Sequence, residues 1–428
     1  MPWPDHLPSH RIGFVSTRFS GTDGVTLETM KWAQVLRELG QQLFYFAGLN
    51  NQPAEISYVV PEAFFKHPDI FAITEIAYSA SSRPRELTDR IHELRVHLKA
   101  HLNAFIRQYD IELLIVENAL SIPVNIPLGL ALSELIAETN IPTIAHHHDF
   151  AWERKRFLVN CIGDYLEMAF PPRLPSIRHV VINSLAGAQL GRRRGLSTAV
   201  IPNVMDFDNP PEPPGEYTVT VRHDLKVLPG EYLILQPTRI VRRKGIEHAI
   251  ELIQRLGLPG RLVISHAGGD EGDAYEKHVR TFSKMLNTPV NFVSDVIDIE
   301  RGRTPDGTKV YTLGDVYPYA DLVTYPSLLE GFGNGFLEAI YYRRPLVVNN
   351  YTIYATDIKP KGFWGIEFDG FITDQTVEQA HRVLTHPEHF QEQLERNYQL
   401  ARKYYSYSVL RRQLEALLFS CFGEDMQI

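Results

Sequence analysis

Two hydrophobic patterns alternate along the first half of the chain. Short apolar runs at Arg11–Ser16 (RIGFVS), Gln42–Ala47 (QLFYFA), Ile111–Val116 (IELLIV), Pro142–Ala145, His179–Asn183 (HVVIN) and Ala199–Pro202 predict strands. Between them lie stretches with helical spacing. Leu27, Trp32, Leu36 and Leu39 share one side of a helix that ends at Gly40. Glu93–Tyr109 is strongly helical, with Leu94, Leu98, Leu102 and Phe105 on one side and His, Arg and Lys elsewhere. That face is expected against a core rather than on a membrane surface. Strands separated by helices imply βαβ units and a parallel sheet.

The alternation breaks at Asp206–Gly215 (DFDNPPEPPG), where four prolines fall in ten residues. Such a stretch continues neither helix nor sheet and predicts a domain junction. The pattern then restarts. Glu231–Gln236, Arg261–His266, Val290–Val293, Leu322–Tyr325 and Leu346–Asn349 read as strands. Gly245–Leu256 reads as a helix with Ile246, Ala249, Ile250 and Ile253 inward, a second helix opens near Gly335, and the chain is helical in pattern from about Thr376. The expected architecture is α/β, with two doubly wound Rossmann-like domains facing a cleft and helices at the C-terminal end. The expected domains are 1–205, a linker at 206–215, 216–403, and a final helix over 404–428 that crosses back to the first domain. In such sheets ligands sit at the carboxyl ends of strands.

Composition narrows the function classes. A chain of 428 residues suits two domains of roughly 200 residues each. Hydrophobic residues at 44% and charged residues at 22% are ordinary for a globular protein. The formal charge of -8 argues against a nucleic-acid partner, which needs a basic surface. Two distant cysteines, Cys161 and Cys421, make no disulfide framework, so a reducing cytoplasm is expected. The first ten residues lack the apolar run of a signal peptide, and no stretch reaches the ~18–20 apolar residues of a membrane span. Peripheral membrane contact stays open, as does the oligomeric state.

Four segments at strand ends carry candidate chemistry. The strongest is Glu330-Gly-Phe-Gly-Asn-Gly-Phe-Leu-Glu338, after the apolar run LVTYPS. Its glycines let backbone approach a ligand, and the following helix start offers free N–H groups to an anion. Thr238–Gly245 (TRIVRRKG) brings Arg239 and Lys244 to a strand end, where both could meet a diphosphate as its charge grows. Gly21 and Gly24 flank Thr22-Asp23 at the first strand–helix turn, a place for backbone to meet phosphate. His146-His147-His148-Asp149 follows the strand PTIA.

The Glu-x7-Glu of Glu330 and Glu338, placed after Arg239-x4-Lys244-Gly245, resembles the signature of family-4 retaining glycosyltransferases of the GT-B fold. The N-terminal Gly-rich loop and the His-Asp after a mid-domain strand match in order, although Gly-Thr-Asp-Gly replaces the adjacent glycines common in that family. The resemblance implies transfer of a hexose, glucose or mannose favoured, from a UDP- or GDP-linked donor to a small soluble acceptor. It gives Glu330 the donor sugar, Glu338 the ribose, and Arg239 and Lys244 the diphosphate. The amides of Gly333, Asn334, Gly335 and Phe336 would support the phosphates, with Gly21 and Gly24 also on the donor. His148 would contact the transferred sugar, and Val293, Ser294 and Val296 would line the base. No metal site and no tightly bound cofactor are implied; Mg²⁺ is allowed but not required.

Plainer readings stand beside these. Arg242 and Arg243 read as a solvated helix start, and Arg192–Arg194 as a solvated face. Adjacent histidines on a strand point alternately, so His146, His147 and His148 are not expected to converge on an ion; the first two read as structural or acceptor-side. Asp270, Glu271 and Asp273 lack calcium-loop spacing and read as a turn. The rival functions are a sugar phosphorylase or nucleotide-sugar epimerase on the same fold, and a catalytically silent carbohydrate-binding protein.

Overall fold

The structure, a computed structural model, describes residues 8–21, 23–268 and 274–423. Thr22, Asp270, Glu271 and Asp273 lie outside the described residues. The chain forms two compact units. One runs to Val204 and resumes at Tyr407; the other is Met205–Ser406.

The first unit holds a seven-stranded sheet: β1 (Arg11–Val15), β2 (Gln42–Ala47), β3 (Ser57–Val59), β4 (Leu113–Glu117), β5 (Thr143–His147), β6 (Ile177–Val181) and β7 (Thr198–Val200). Their spatial order is β3-β2-β1-β4-β5-β6-β7. Every pairing is parallel, with Gly13 opposite Phe44 on one side and Leu114 on the other. The order reverses direction between β1 and β4, which makes their carboxyl ends the topological switch point.

Both faces of this sheet are covered, so β1 feeds two cores. Ile12 and Phe14 pack with Trp32, Val35 and Leu36 of helix α1 (Gly24–Glu38). Val15 packs on the other face with Leu98, Leu102 and Phe105 of α2 (Arg85–Tyr109) and Leu128, Leu132 and Leu135 of α3 (Ile126–Thr139). A Cβ on Gly13 would stand 2.7 Å from the Phe105 ring, so that glycine is what lets α2 lie this close. Leu94, Leu98, Leu102 and Phe105 are all buried, as a core-facing helix requires. On α1 the buried face is wider than the sequence pattern predicts. It includes Glu28, which salt-bridges Lys31 at 2.9 Å and accepts the Val204 amide at 3.1 Å. Helix α4 (Ser184–Arg194) is capped by Asn183, whose side chain accepts the Ala186 amide at 2.7 Å.

The second unit repeats the plan with a six-stranded sheet: β8 (Tyr232–Gln236), β9 (Gly260–Ile264), β10 (Val290–Phe292), β11 (Leu322–Tyr325), β12 (Leu346–Asn349) and β13 (Ile366–Phe368). They lie in the order β10-β9-β8-β11-β12-β13, all parallel, so the switch point falls between β8 and β11. The longer helices are α5 (Ile246–Leu256), α6 (Ala274–Met285), α7 (Asn334–Tyr341), α8 (Asp374–Thr385) and α9 (Gln391–Tyr405). Ile246, Ala249, Ile250 and Ile253 of α5 are buried together with Ile234, Leu262 and Leu322 of the sheet.

The chain then rejoins the first unit as α10 (Tyr407–Phe422). Leu410, Leu414, Leu417 and Leu418 complete the core over Trp32 and Leu36. Among the described residues, no helix is long and apolar enough to cross a membrane.

Candidate functional site

In the second unit, the segments that follow β8 and β11 meet at the switch point. Gln236 ends β8; its amide donates to Thr238 Oγ1 at 2.8 Å, and its carbonyl oxygen accepts from Thr324 of β11 at 2.7 Å. This buried network ties the two strand ends together. The chain after β8 makes a single 3₁₀ turn, Arg242–Lys244, and reaches Gly245 at φ 57°. A Cβ there would stand 2.6 Å from the Pro326 carbonyl oxygen, so the loop after β11 can lie against this turn only beside a glycine.

Glu330 is held between cations, with its side chain 9% exposed. Lys244 Nζ donates to its Oε1, and Arg243 Nη1 approaches Oε2 at 3.1 Å. Burial pushes the Glu330 carboxyl up, but the charges of Lys244 and Arg243 outweigh it and hold it below the usual range. Burial pushes the Lys244 ammonium down, more than Glu330 lifts it. Arg243 therefore does not sit on a solvated helix start as its charge run suggests. Its backbone carbonyl accepts the Leu328 amide at 2.8 Å, which brings its guanidinium onto the same loop. Arg242 is exposed.

Arg239 is half-buried and makes no side-chain hydrogen bond among the described residues. His266, just past β9, registers the local field: burial, then the charges of Arg239 and Lys244, push its pKa down. The carboxyl ends of β8 and β9 thus carry concentrated positive charge.

The glycines of the Glu330–Glu338 segment are set by close approach. Gly333 has φ 138°, and a Cβ on it would stand 2.4 Å from Tyr351 Oη, which donates to the Phe332 carbonyl at 2.7 Å. A Cβ on Gly335 would stand 2.7 Å from the Tyr325 ring. Helix α7 starts at Asn334, with Gly333 at its cap and no side chain capping it. The Phe336 ring lies in the core against Tyr354 and Phe363, and its amide donates to the Gly333 carbonyl at 3.1 Å. Glu338 is half-buried one turn on, its Oε2 accepting from Tyr317 Oη at 2.8 Å. After β10, Val293 and Val296 are buried and Ser294 is exposed; the Val293 amide donates to the Ile264 carbonyl of β9 at 3.1 Å.

The first unit has its own cluster at the β1/β4 switch point. Gly21 is exposed with φ 85°, and Gly24 opens α1 behind the Asp23 cap, which accepts the Val25 and Thr26 amides at 3.2 Å each. Glu117 ends β4 and is completely buried. His146 Nδ1 lies 3.0 Å and His148 Nε2 3.1 Å from its Oε2. His147 points the other way, as strand alternation demands, to Ser121 and to His179 Nδ1 at 2.9 Å. Alternate residues 146 and 148 thus converge where adjacent ones cannot. The donor atoms of Glu117, His146 and His148 lie within 4.8 Å of one another, a spacing that a metal ion could also use. Asn118, at φ 61°, accepts the His148 amide at 3.0 Å and donates to Asp149 at 2.9 Å.

Glu117 was not singled out by its sequence context. The run LLIVE ends in a carboxylate on a strand buried on both faces, and that mismatch is the available signal.

The whole fold resembles solved glycosyltransferases. It matches sucrose-phosphate synthase from Thermosynechococcus elongatus with a TM-score of 0.67 at 16% identity, over 97% of this chain and 100% of that one. It matches HepE from Anabaena, crystallised with UDP and glucose, with a TM-score of 0.65 at 13% identity, over 96% and 100%. No family model matches the sequence. Two Rossmann-like units give the chain the GT-B fold, and two full-length relatives make it a glycosyltransferase that moves a hexose. Mannosylglucosylglycerate synthase of Thermotoga maritima is 31% identical over 92% of this chain and 96% of its own length. The enzyme of the same name from Petrotoga mobilis is 31% identical over 82% and 85%. The chain belongs to the mannosylglucosylglycerate synthase family.

Proposed function

We propose that the protein transfers a mannosyl group from a nucleoside-diphosphate mannose to glucosylglycerate, with retention of anomeric configuration. The names of the full-length relatives suggest the sugar and the acceptor. The observation that carries the donor half is the charge at the second switch point: Lys244 and Arg243 flank the carboxylate of Glu330, and Arg239 lies close enough to Lys244 for its charge to depress the Lys244 ammonium.

In this reading Arg239 and Lys244 bind the donor diphosphate. As the glycosidic bond breaks, negative charge collects on the departing phosphate, and these preorganised cations stabilise it without solvent reorganisation. Amides at the start of α7 add the N-terminal dipole. Glu330 releases Lys244 to the phosphate and turns to the hexose; Glu338 takes the ribose hydroxyls, and Val293–Val296 flank the base. In the first unit, Gly21 and Gly24 approach the donor through backbone, and His148 contacts the hexose. The acceptor hydroxyl attacks from the face that the phosphate leaves, and the phosphate oxygen accepts its proton. No protein nucleophile is then required, and positioning supplies the rate.

The test pairs binding with product analysis. UDP, GDP, ADP and their mannose and glucose conjugates are screened by thermal shift, with and without Mg²⁺. A ligand at about 100 times its Kd adds about 2.7 kcal/mol. One nucleotide should stand out, and Lys244→Ala should lose the shift. Transfer is then followed by NMR with glucosylglycerate and with a glucosylated lipid. An α-mannosyl product from an α-linked donor, formed only with glucosylglycerate, is expected. A β-product overturns retention, and absence of any nucleotide shift overturns the donor site.

A further inference from the structure

We propose that Glu117 is a positioning residue for transfer: it fixes the His148 ring through Nε2, so that Nδ1 is presented to a sugar hydroxyl. The proposal rests on the functional reading above for the identity of that hydroxyl.

The geometry sets the proton positions. An ionised carboxylate only accepts, so both ring nitrogens that face Glu117 carry hydrogen. His148 Nε2–H donates to Oε2 at 3.1 Å, and His146 Nδ1–H donates to the same carboxylate at 3.0 Å. The His148 amide is held separately by Asn118 Oδ1 at 3.0 Å, so ring and backbone are both pinned. His148 Nδ1 has no hydrogen-bond partner among the described residues, and the side chain keeps 8% exposure. His146, by contrast, has no exposure and stacks on Trp32 at 4.2 Å. One imidazole of the pair can therefore meet a ligand, and the other is a buried support.

The charges around the pair explain how they differ. Facing His148 are Glu117 from β4, Glu28 from α1 with its partner Lys31, His146 from the same strand, and Asp149 with its partner Arg154. Burial pushes the His148 pKa down, but the hydrogen bond and charge of Glu117, then Glu28 and Asp149, outweigh it and raise it. For His146 burial wins, and its pKa is pushed down. Glu117 thereby favours the protonated form of His148, the one ring of the pair that keeps any exposure. A charged donor binds a developing or polar oxygen more strongly than a neutral one, roughly tenfold or more in affinity.

Glu117→Gln keeps the shape and removes the charge. Its His148 resonance, followed by NMR in the full chain, should titrate at lower pH than in the wild type. The alkaline limb of kcat/KM should move down with it. At pH 7 kcat should fall roughly tenfold or more, and the double variant with His148→Gln should be no worse than His148→Gln alone. Donor hydrolysis without acceptor separates the sources of the hydroxyl. A matching loss there assigns it to the donor hexose, whereas a loss seen only as a raised acceptor KM assigns it to the acceptor. If Glu117→Gln does not fold, Glu117→Asp retains the charge at a longer reach and should show an intermediate shift. An unchanged His148 titration and pH profile in a folded variant overturn the proposal. So does one equivalent of metal per wild-type chain, lost on Glu117→Gln, since the triad would then be a metal site. The NMR readout needs no substrate. A shifted titration in a chain that transfers no hexose therefore counts against the functional reading alone.

Discussion

At the residue scale, buried ionisable groups make the first unit sensitive to acid. Glu117 is pushed up by burial, but His146 and His148 outweigh that and hold it at about 2. An unfolded carboxyl titrates near 4.3. Its folded value is the lower one, so the stability it lends is present above about pH 4.3 and drains as pH falls toward 2. His147 and His179 are depressed by burial, His179 to about 4. Their contribution is present above about 6.5 and is lost as pH falls below that. His148 has the opposite sign and lends stability below about 6.5 that is lost as pH rises through its folded value. Urea midpoints should fall from pH 7 to pH 4, by up to about 1.4 kcal/mol per pH unit for each proton gained on unfolding. His179→Asn should flatten the slope between about 6.5 and 4; an unchanged slope would show that other groups set it.

These same residues mark what the sequence displays and what it conceals. Glu330 and Lys244 are legible because glycines and strand ends surround them. Glu117 is concealed because it ends an apolar run, and only the third dimension supplies its partners; Glu28 reads as an ordinary helix carboxylate until its burial and its bond from the Val204 amide are seen. Arg243 reads as solvated until the loop after β11 is seen to fold onto it.

At the scale of elements, the turn from β8 into α5 depends on one atom that is absent. Gly245→Ala would put a left-handed φ and a 2.6 Å contact with the Pro326 carbonyl at the same place. A loss of about 1–3 kcal/mol is expected, with nucleotide binding lost as Lys244 moves. Gly257→Ala, at φ 65° beyond the other end of α5, meets nothing within 4 Å. It should cost about 1–2 kcal/mol and leave nucleotide affinity unchanged. Equal effects on affinity would show that the turn does not position Lys244. The central strands of both sheets follow their apolar runs, and Gln42–Ala47, Leu322–Tyr325 and Leu346–Asn349 match to the residue. Ser57–Val59 and Ile366–Phe368 are edge strands of three residues, too short for any period to register. The order of strands is not written in any one of them; it follows from the doubly wound plan that the alternation implies.

For the whole molecule, α10 matters more than its place at the end of the chain suggests. It supplies Leu410, Leu414, Leu417 and Leu418 to a core otherwise built from the first unit's opening residues. A chain stopped at Ser406 would expose Trp32, Val35 and Leu36 to water. Burying such side chains contributes about 1.5–3 kcal/mol each. The truncated protein should bind an apolar dye and lose the first unit's cooperative melt. The nucleotide-dependent shift of the second unit should survive, and a calorimetric scan with and without nucleotide separates the two. A truncated chain with both transitions intact would show α10 to be dispensable.

The return of the chain at Tyr407 also sets a timetable. Translation delivers α1 early and α10 last, with all of Met205–Ser406 between them. At ~5–20 residues per second, the ribosome needs about 10–40 seconds to make that insert. For that interval the nascent chain presents a tryptophan-centred apolar face with no native cover, a target for any chaperone that reads exposed hydrophobic surface. The second unit, contiguous in sequence, has all its parts before then. It can complete its core before α10 is made, whereas the half of the protein made earlier waits for α10.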